Sequence, residues 1–176
     1  MDSPLVQLLC RSDLEGNIIS HDDICRWTAE ERKAIFALGI LQRIEDAEYA
    51  MCEICADRPF AEVIGDIGLE PRVHCESCGL RKISAERLHQ WRVDFEALGG
   101  LLRKHLDLLG KPSMLVPERI WLLGRKQVVG RMAEFFLIQG IAWPDSIDML
   151  NQAARLLNSP APILVVPHGL PTQREW

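Results

Sequence analysis

The chain has 176 residues, of which 48% are hydrophobic and 26% are charged, and its formal net charge is −5. This composition is sufficient for a buried core and excludes an intrinsically disordered or low-complexity protein. No apolar run approaches the roughly 18 residues that a membrane span requires, so we expect a soluble, unexported protein. Cysteine pairs of the kind described below are expected in a reducing compartment, which favours the cytoplasm.

Charge is distributed unevenly along the sequence. Residues 1–50, 51–78, 79–131 and 132–176 carry net charges of −5, −4, +6 and −2. The basic third segment has two interpretations: it faces phosphate groups of a partner, or it docks on the acidic N-terminal half within the same fold. Internal docking is the more common outcome for unlike charges within one chain, but both interpretations stay open at this point.

The first fifty residues predict an N-terminal helical segment. Thr28 and Glu31 have the spacing of a capping box, so a helix should begin directly after Thr28. Two short apolar stretches, at 40–44 and 47–51, follow this helix and predict a hairpin or an extension of the helix. A helix followed by a hairpin resembles a winged helix, although this segment is acidic and offers few basic side chains to a phosphate backbone.

Four cysteines form two C-x2-C pairs, Cys52 with Cys55 and Cys75 with Cys78, and nineteen residues separate the pairs. Two residues between thiols let one tight turn aim both sulfurs at one ion, and two such turns complete the tetrahedron that zinc prefers. Four thiolates would leave no open position for a catalytic water, so we predict one structural Zn²⁺. His74, next to Cys75, is an alternative to one of the thiols as a ligand.

Strand-like runs surround the second cysteine pair. Residues 60–64, 71–74 and 80–83 have the composition and punctuation of short strands. Gly79 directly follows Cys78, where the backbone of a metal-binding turn tends to need a positive φ. Short strands around paired cysteines predict a zinc ribbon.

The motifs C-E-I-C at 52–55 and C-E-S-C-G at 75–79 resemble the zinc-ribbon and rubredoxin-knuckle class. The first motif has Ala56 where the second has Gly79. The resemblance is limited to residues 52–83, about a sixth of the chain, and it implies a metal. Because the class contains transcription factors, ribosomal proteins and many enzymes, it implies no activity.

The residues after the ribbon begin with a helical pattern. Apolar residues recur at intervals of three and four from Ser84 to Leu109, which predicts one long amphipathic helix that begins at Ser84. Gly99 and Gly100 interrupt the pattern and should kink the helix or divide it. Gly110, followed by a proline two residues later, should end it.

From Leu115 the pattern changes to short apolar runs that predict strands of a small mixed sheet. Glycines bound the runs 120–123, 128–129 and 135–138, and prolines bound the run 163–166. A further helix should begin at Pro144 and bury one face, composed of Ile147, Leu150, Ala153 and Leu157. The predicted fold class is α+β. We expect an N-terminal helical segment (1–50), a central zinc ribbon (51–83), and an α+β domain with a C-terminal tail (84–176).

Basic residues around an aromatic residue make the segment after the ribbon a candidate surface for a nucleic acid or an acidic protein. The candidate residues are Arg81, Lys82, Arg87, Arg119, Trp121, Arg125, Lys126 and Arg131. Alternation along a strand would place Arg119 and Trp121 on the same face. The alternative is an outer face that contacts only solvent.

No catalytic motif accompanies the cysteines. The histidines lack a G-x-S-x-G or H-E-x-x-H context, and we predict no catalytic residue and no small-molecule substrate. His21 and Cys25 are four residues apart and would share one helix face, but no second pair of metal ligands lies nearby.

Three functions follow from these observations. The first is a non-enzymatic zinc-binding protein that acts as a DNA-linked regulatory or assembly factor. The second is a protein–protein adaptor or complex subunit that contacts no nucleic acid. The third is an enzyme that uses zinc only as a scaffold.

Overall fold

The computed structural model describes residues 3–14, 16–55, 59–65 and 70–167. These residues form a mixed α/β structure with three small sheets, six helices and a 3₁₀ turn at Ala85–Leu88. The helices are α1 (Pro4–Ser12), α2 (His21–Ile24), α3 (Ala29–Ala37), α4 (Phe95–Leu106), α5 (Ser146–Gln152) and α6 (Ala154–Leu157). The strands are β1 (Ile19–Ser20), β2 (Leu41–Arg43), β3 (Tyr49–Met51), β4 (Phe60–Ile64), β5 (Arg72–Cys75), β6 (Gly79–Lys82), β7 (Gln90–Val93), β8 (Ser113–Val116), β9 (Ile120–Val128), β10 (Arg131–Ile138) and β11 (Pro162–Val165). No helix among the described residues has the length and apolar character needed to cross a bilayer.

The C-terminal sheet has the strand order β11-β10-β9-β8, with β10 and β11 parallel and the other pairs antiparallel. The first five residues of β9, at 120–124, are buried on both faces of the sheet. Ile120 and Leu122 pack in one hydrophobic cluster with Met149 of α5, whereas Trp121 and Leu123 pack in a second cluster that includes residues of α4. Burial of both faces explains why β9 begins with a continuous apolar run instead of an alternating one. The predicted C-terminal tail lies almost entirely outside the described residues.

The N-terminal helical segment shares the core on the α4 side of this sheet. Leu8 of α1 and Ile35 of α3 belong to the same buried cluster as Leu98 of α4 and Leu137 of β10. Helix α3 begins as predicted, because the Thr28 hydroxyl accepts from the backbone N–H of Glu31 and the Glu31 carboxylate accepts from that of Thr28. The division of the chain at residues 50 and 84 stays a prediction.

The prediction of one long helix from Ser84 is wrong. Its first half is the 3₁₀ turn followed by β7, and α4 begins only after Asp94, whose carboxylate accepts from the backbone N–H of Ala97. Strand β7 is the middle strand of a three-stranded sheet with the order β1-β7-β2. Pairing on both edges with strands that are distant in sequence therefore decides the backbone conformation here, against the helical spacing of the apolar residues.

The hairpin predicted between residues 40–44 and 47–51 is also wrong. Strands β2 and β3 occupy these positions, but β2 pairs with β7 and β3 pairs with β4 of the ribbon. The chain thus leaves one sheet and enters another between the two strands. The resemblance to a winged helix required this hairpin, so the strand pairing does not support it.

The C-terminal helix differs from the prediction in its extent and its buried face. Two short helices, α5 and α6, meet at Ala153, whose φ of −92° and ψ of 63° interrupt the helical backbone. Ala153 is buried as predicted, but Ile147 and Leu157 are exposed, and Met149 and Leu156 are buried in their place. A break of this kind rotates the residues after it and changes which of them face the sheet.

Gly99 and Gly100 do not interrupt α4, because the helix runs through both of them. A Cβ atom added at Gly99 would lie 3.0 Å from Cδ2 of Leu123, whereas one added at Gly100 would have no neighbour within 4 Å. Gly99 therefore lets α4 approach β9 closely, and Gly100 has no such role.

We expect Gly100→Ala to stabilise the protein by about 1 kcal/mol, the difference in helix propensity between the two residues. Gly99→Ala should gain the same helix propensity, but its Cβ atom would press on the buried Leu123 side chain and cancel that gain. The free energy of unfolding of Gly99→Ala should therefore be lower than that of Gly100→Ala. Urea denaturation of both variants measures the difference. Equal stabilisation by the two substitutions would contradict the close packing of α4 on β9.

Candidate metal centre

The four cysteines of the two C-x2-C pairs come from two turns of the ribbon sheet, whose strand order is β3-β4-β5-β6. Cys52 directly follows β3, and Cys75 is the last residue of β5, opposite Gly79 in the pairing of β5 with β6. Gly79 has a φ of 75°, as predicted for this turn. A Cβ atom there would meet nothing within 4 Å, so the backbone conformation and not space requires the glycine.

The four sulfur atoms converge on one point. Sγ of Cys52 is 3.4 Å from Sγ of Cys78, and Sγ of Cys55 is 3.6 Å from Sγ of Cys75. All four lie within 4.8 Å of one another, and none of the cysteines is in a disulfide. A tetrahedron with Zn–S bonds of about 2.3 Å has edges of about 3.8 Å, whereas a disulfide joins sulfurs at about 2.05 Å. The cluster can therefore hold a metal ion.

The first cysteine of each pair is buried and the second is half-buried. Cys52 and Cys75 belong to the small hydrophobic cluster inside the ribbon, which also contains Val73 of β5 and Leu88 of the 3₁₀ turn. Apolar side chains thus pack around two of the four cysteines.

The two thiols of the first pair have different pKa values, in part because backbone N–H groups donate to one of them. The N–H groups of Cys55 and Ile54 donate to the Cys52 sulfur and lower the pKa of that thiol to about 6. The neighbouring thiol of Cys75, together with burial, raises the pKa of Cys55 to about 12, and contact with Cys52 raises the pKa of Cys78. Close sulfurs cannot all be ionised without a cation, as in any group of like charges that share one site.

Two arginines predicted as partner-binding residues lie beside the cluster. The Arg81 side chain offsets part of the rise in the pKa of the Cys78 thiol. Arg87, only 12% exposed, donates to the Met51 carbonyl and lies at ion-pair distance from Asp22 of α2 and from Glu53 of the first cysteine turn. Arg87 therefore connects the ribbon to the N-terminal helical segment.

His74 is outside the cluster of possible metal ligands that the described residues form. It is opposite Glu62 and Leu80 in the strand pairing, so its side chain is on the sheet face that points away from the buried Val73.

Arg119 and Trp121 do not share a surface. Arg119, 14% exposed, lies in the turn before β9, where it forms two hydrogen bonds to Asp145 of 2.7 and 3.0 Å and stacks on Trp143 with its charge 4.4 Å from the ring centre. Its bonds to Asp145 lower the pKa of that carboxyl. Trp121 is buried and stacks on Phe95 at a centroid distance of 5.3 Å. Both side chains hold parts of the fold together.

The remaining predicted residues are on the surface. Arg125, Lys126 and Arg131 lie on the outer half of the β9–β10 hairpin, with Lys126 and Arg131 on one face and Arg125, opposite Glu134, on the other. Lys126 Nζ donates to the Leu106 carbonyl at the end of α4. Lys82 of β6 forms an ion pair with Glu70. The structure thus separates the eight predicted residues into internal contacts, ribbon residues and a basic hairpin.

One surface of the ribbon exposes large apolar side chains that the sequence analysis did not predict. Cross-strand pairing places one set of side chains on its outer face, which we name the ribbon face; its residues are Tyr49, Phe60, Glu62, Ile64, Arg72, His74, Leu80 and Lys82. Phe60 is 74% exposed and Tyr49 57%, and Ile64 and Leu80 are also exposed. Alternation of large apolar residues with the small Ala50 and Ala61 was the signal in the sequence.

The sequence matches no protein-family model, and comparisons with curated proteins and with solved structures give no match. The geometry of the site and its surroundings is therefore the basis for the functional argument.

We expect metal binding to the apoprotein to release protons and to weaken as the pH falls. The raised pKa values of Cys55 and Cys78 mean that both thiols are protonated at neutral pH, so the metal has to displace two protons at least. Calorimetric titration with Zn²⁺ at pH 7 in two buffers of different ionisation enthalpy counts these protons. Release of fewer than two protons per ion would show that the raised pKa values do not apply.

Proposed function

We propose that this chain is a non-enzymatic protein-binding module built around one structural Zn²⁺. The convergence of four thiols from two turns is the observation that carries the metal part of the proposal. Four thiolates complete a tetrahedral shell, which leaves no position for a water or a substrate. Such an ion would stabilise the fold of the ribbon, because metal binding and folding are coupled in small metal-binding sheets.

Iron also accepts four thiolates in this geometry, so the identity of the metal requires a measurement. Zinc is the better candidate because a structural site needs no change of oxidation state, and the guanidinium of Arg81 beside Cys78 offsets part of the charge of the thiolates.

We expect one zinc per chain by elemental analysis of the purified protein, without visible absorbance. Cys52→Ser combined with Cys75→Ser should remove the metal, lower the free energy of unfolding by several kcal/mol and let a protease cleave between residues 49 and 82. Cys25→Ser, which removes an exposed thiol outside the cluster, is the matched control and should keep both metal and stability. Stoichiometric iron would contradict zinc, and a metal-free stable protein would contradict the site.

The ribbon face supports the binding part of the proposal. Large apolar side chains that are exposed together on one sheet face mark interaction surfaces more often than isolated ones do. Tyr49 of β3 and Phe60 of β4 lie on adjacent ribbon strands, whereas Leu80 of β6 lies at the far edge of the same face, beyond Glu62 and His74. Aromatic residues of this kind form the centre of most protein interfaces.

Charge favours a protein over a nucleic acid at this face. Glu62 lies among the basic residues of the ribbon face, and Lys82 forms an ion pair with Glu70. Two arginines of the basic segment, Arg87 and Arg119, have carboxylate partners within the fold. A mixed surface on a chain with a net charge of −5 suits a protein partner with both apolar and charged groups.

We expect a photo-crosslinking residue at position 60 to capture one discrete protein in cells that express the full chain. The same residue at position 147, where Ile147 of α5 is also exposed and apolar, is the matched control and should not capture that protein. Tyr49→Ser should weaken the crosslink from position 60 without loss of metal, because it removes apolar contact area next to the crosslinker. Absence of any crosslink specific to position 60, or equal capture from position 147, would contradict the ribbon face as the binding surface.

A nucleic-acid function has one observation in its favour, the basic end of the β9–β10 hairpin. Val129 at its tip is 98% exposed and has a φ of 47°, a conformation that a β-branched residue rarely adopts. Behind this tip, Lys126 and Arg131 lie on one face of the hairpin and Arg125 lies on the other. Anisotropy titration of labelled DNA at several salt concentrations tests this candidate: a salt-dependent affinity that Lys126→Ala and Arg131→Ala reduce would support it. Binding that is absent at low salt would exclude it.

A further inference from the structure

A thiol outside the metal centre has an imidazole as its hydrogen-bonding partner. Helix α2 begins with a capping box at Ser20, whose hydroxyl accepts from the backbone N–H of Asp23. The helical turn that follows places His21 and Cys25 on the same side, with Nε2 of His21 2.9 Å from Sγ of Cys25. The Cys25 residue is exposed, so a reagent in solution can reach its sulfur.

A cation from the next helix also faces this sulfur. Nη1 of Arg32 in α3 is 3.9 Å from Sγ of Cys25. The two carboxylates of α2 are directed elsewhere: Asp22 lies at ion-pair distance from Arg87, and Asp23 forms an ion pair of 2.8 Å with Arg11. The groups within contact of the thiol are thus a base that can take its proton and a guanidinium that can stabilise the resulting negative charge.

These contacts do not form a second metal site. Among the residues that the structure describes, the four cysteines of the ribbon are the group that brings at least three possible ligands together, and neither His21 nor Cys25 belongs to it. A thiol with an adjacent base is instead the arrangement that activates cysteine as a nucleophile.

We propose that Cys25 is a reactive thiol that undergoes exchange with small organic disulfides, with His21 as the base. His21 Nε2 takes the proton of the Cys25 thiol, and the thiolate attacks one sulfur of the disulfide RSSR. A new S–S bond forms between Cys25 and one R–S group while the S–S bond of the reagent breaks. The leaving thiolate takes the proton from the His21 imidazolium, so the products are the mixed disulfide and RSH, and no further oxidant is needed.

The full-length zinc-loaded protein is exposed to oxidised glutathione at pH 7, and peptide mass spectrometry follows each cysteine separately. Cys25 should form the mixed disulfide about tenfold faster in the folded protein than in the same chain unfolded in urea, where it is an ordinary thiol. His21→Gln should reduce the rate in the folded protein to that of the unfolded chain. Arg32→Gln should reduce it by a smaller factor, because the guanidinium is farther from the sulfur.

Circular dichroism and metal content establish that each variant is folded. A Cys25 rate in the folded wild-type protein no higher than that in the unfolded chain would overturn the proposal without any variant. An unchanged rate in folded His21→Gln would overturn the role of His21 as the base. The ribbon cysteines serve as the internal reference, since thiolates bound to a metal should react more slowly than Cys25.

Discussion

Four sulfurs from two turns converge beside a sheet that has only a small hydrophobic core of its own. Inside the ribbon, the buried cluster contains two alanines, Val73, Leu88 and two of the four cysteines, so hydrophobic burial contributes only modestly to its stability. A bound metal would supply the stability that such a small core lacks. The outer face with Phe60 and Tyr49 thus belongs to a sheet with little packing of its own beneath it.

Two arginines of the basic segment form ion pairs that join parts of the fold. Arg87 connects the first cysteine turn to α2 of the acidic N-terminal segment, and Arg119 connects the turn before β9 to Asp145 and to backbone carbonyls after β10. Both side chains are mostly buried, so removal of one partner would leave a desolvated charge without compensation. For these two arginines the contacts favour docking within the fold over contact with a partner. The β9–β10 hairpin, which carries Arg125, is the part of the basic segment that could still face a partner.

Helix α2 combines two features that concern different proposals. Asp22 takes part in the link between the ribbon and the N-terminal segment through Arg87. His21, next to Asp22, forms the thiol–imidazole pair with Cys25, which directly follows the helix. The helix has four residues and is fixed by a capping box at Ser20, so its position depends on that cap and on these contacts. The proposed reactive thiol therefore directly follows a helix whose Asp22 pairs with the arginine that contacts the first cysteine turn.

The sequence by itself determined the features that depend on neighbouring residues. The spacing of Cys52 with Cys55, the positive φ of Gly79 and the capping box at Thr28 follow from chemistry within a few residues, and the structure has all three. Only the tertiary structure decided that residues 90–93 form a strand, because its two partner strands come from distant parts of the chain and outweigh a helical pattern. It also decided that Trp121 is buried against Phe95 and that the ribbon exposes Phe60, since burial depends on which surfaces meet and no local pattern contains that information.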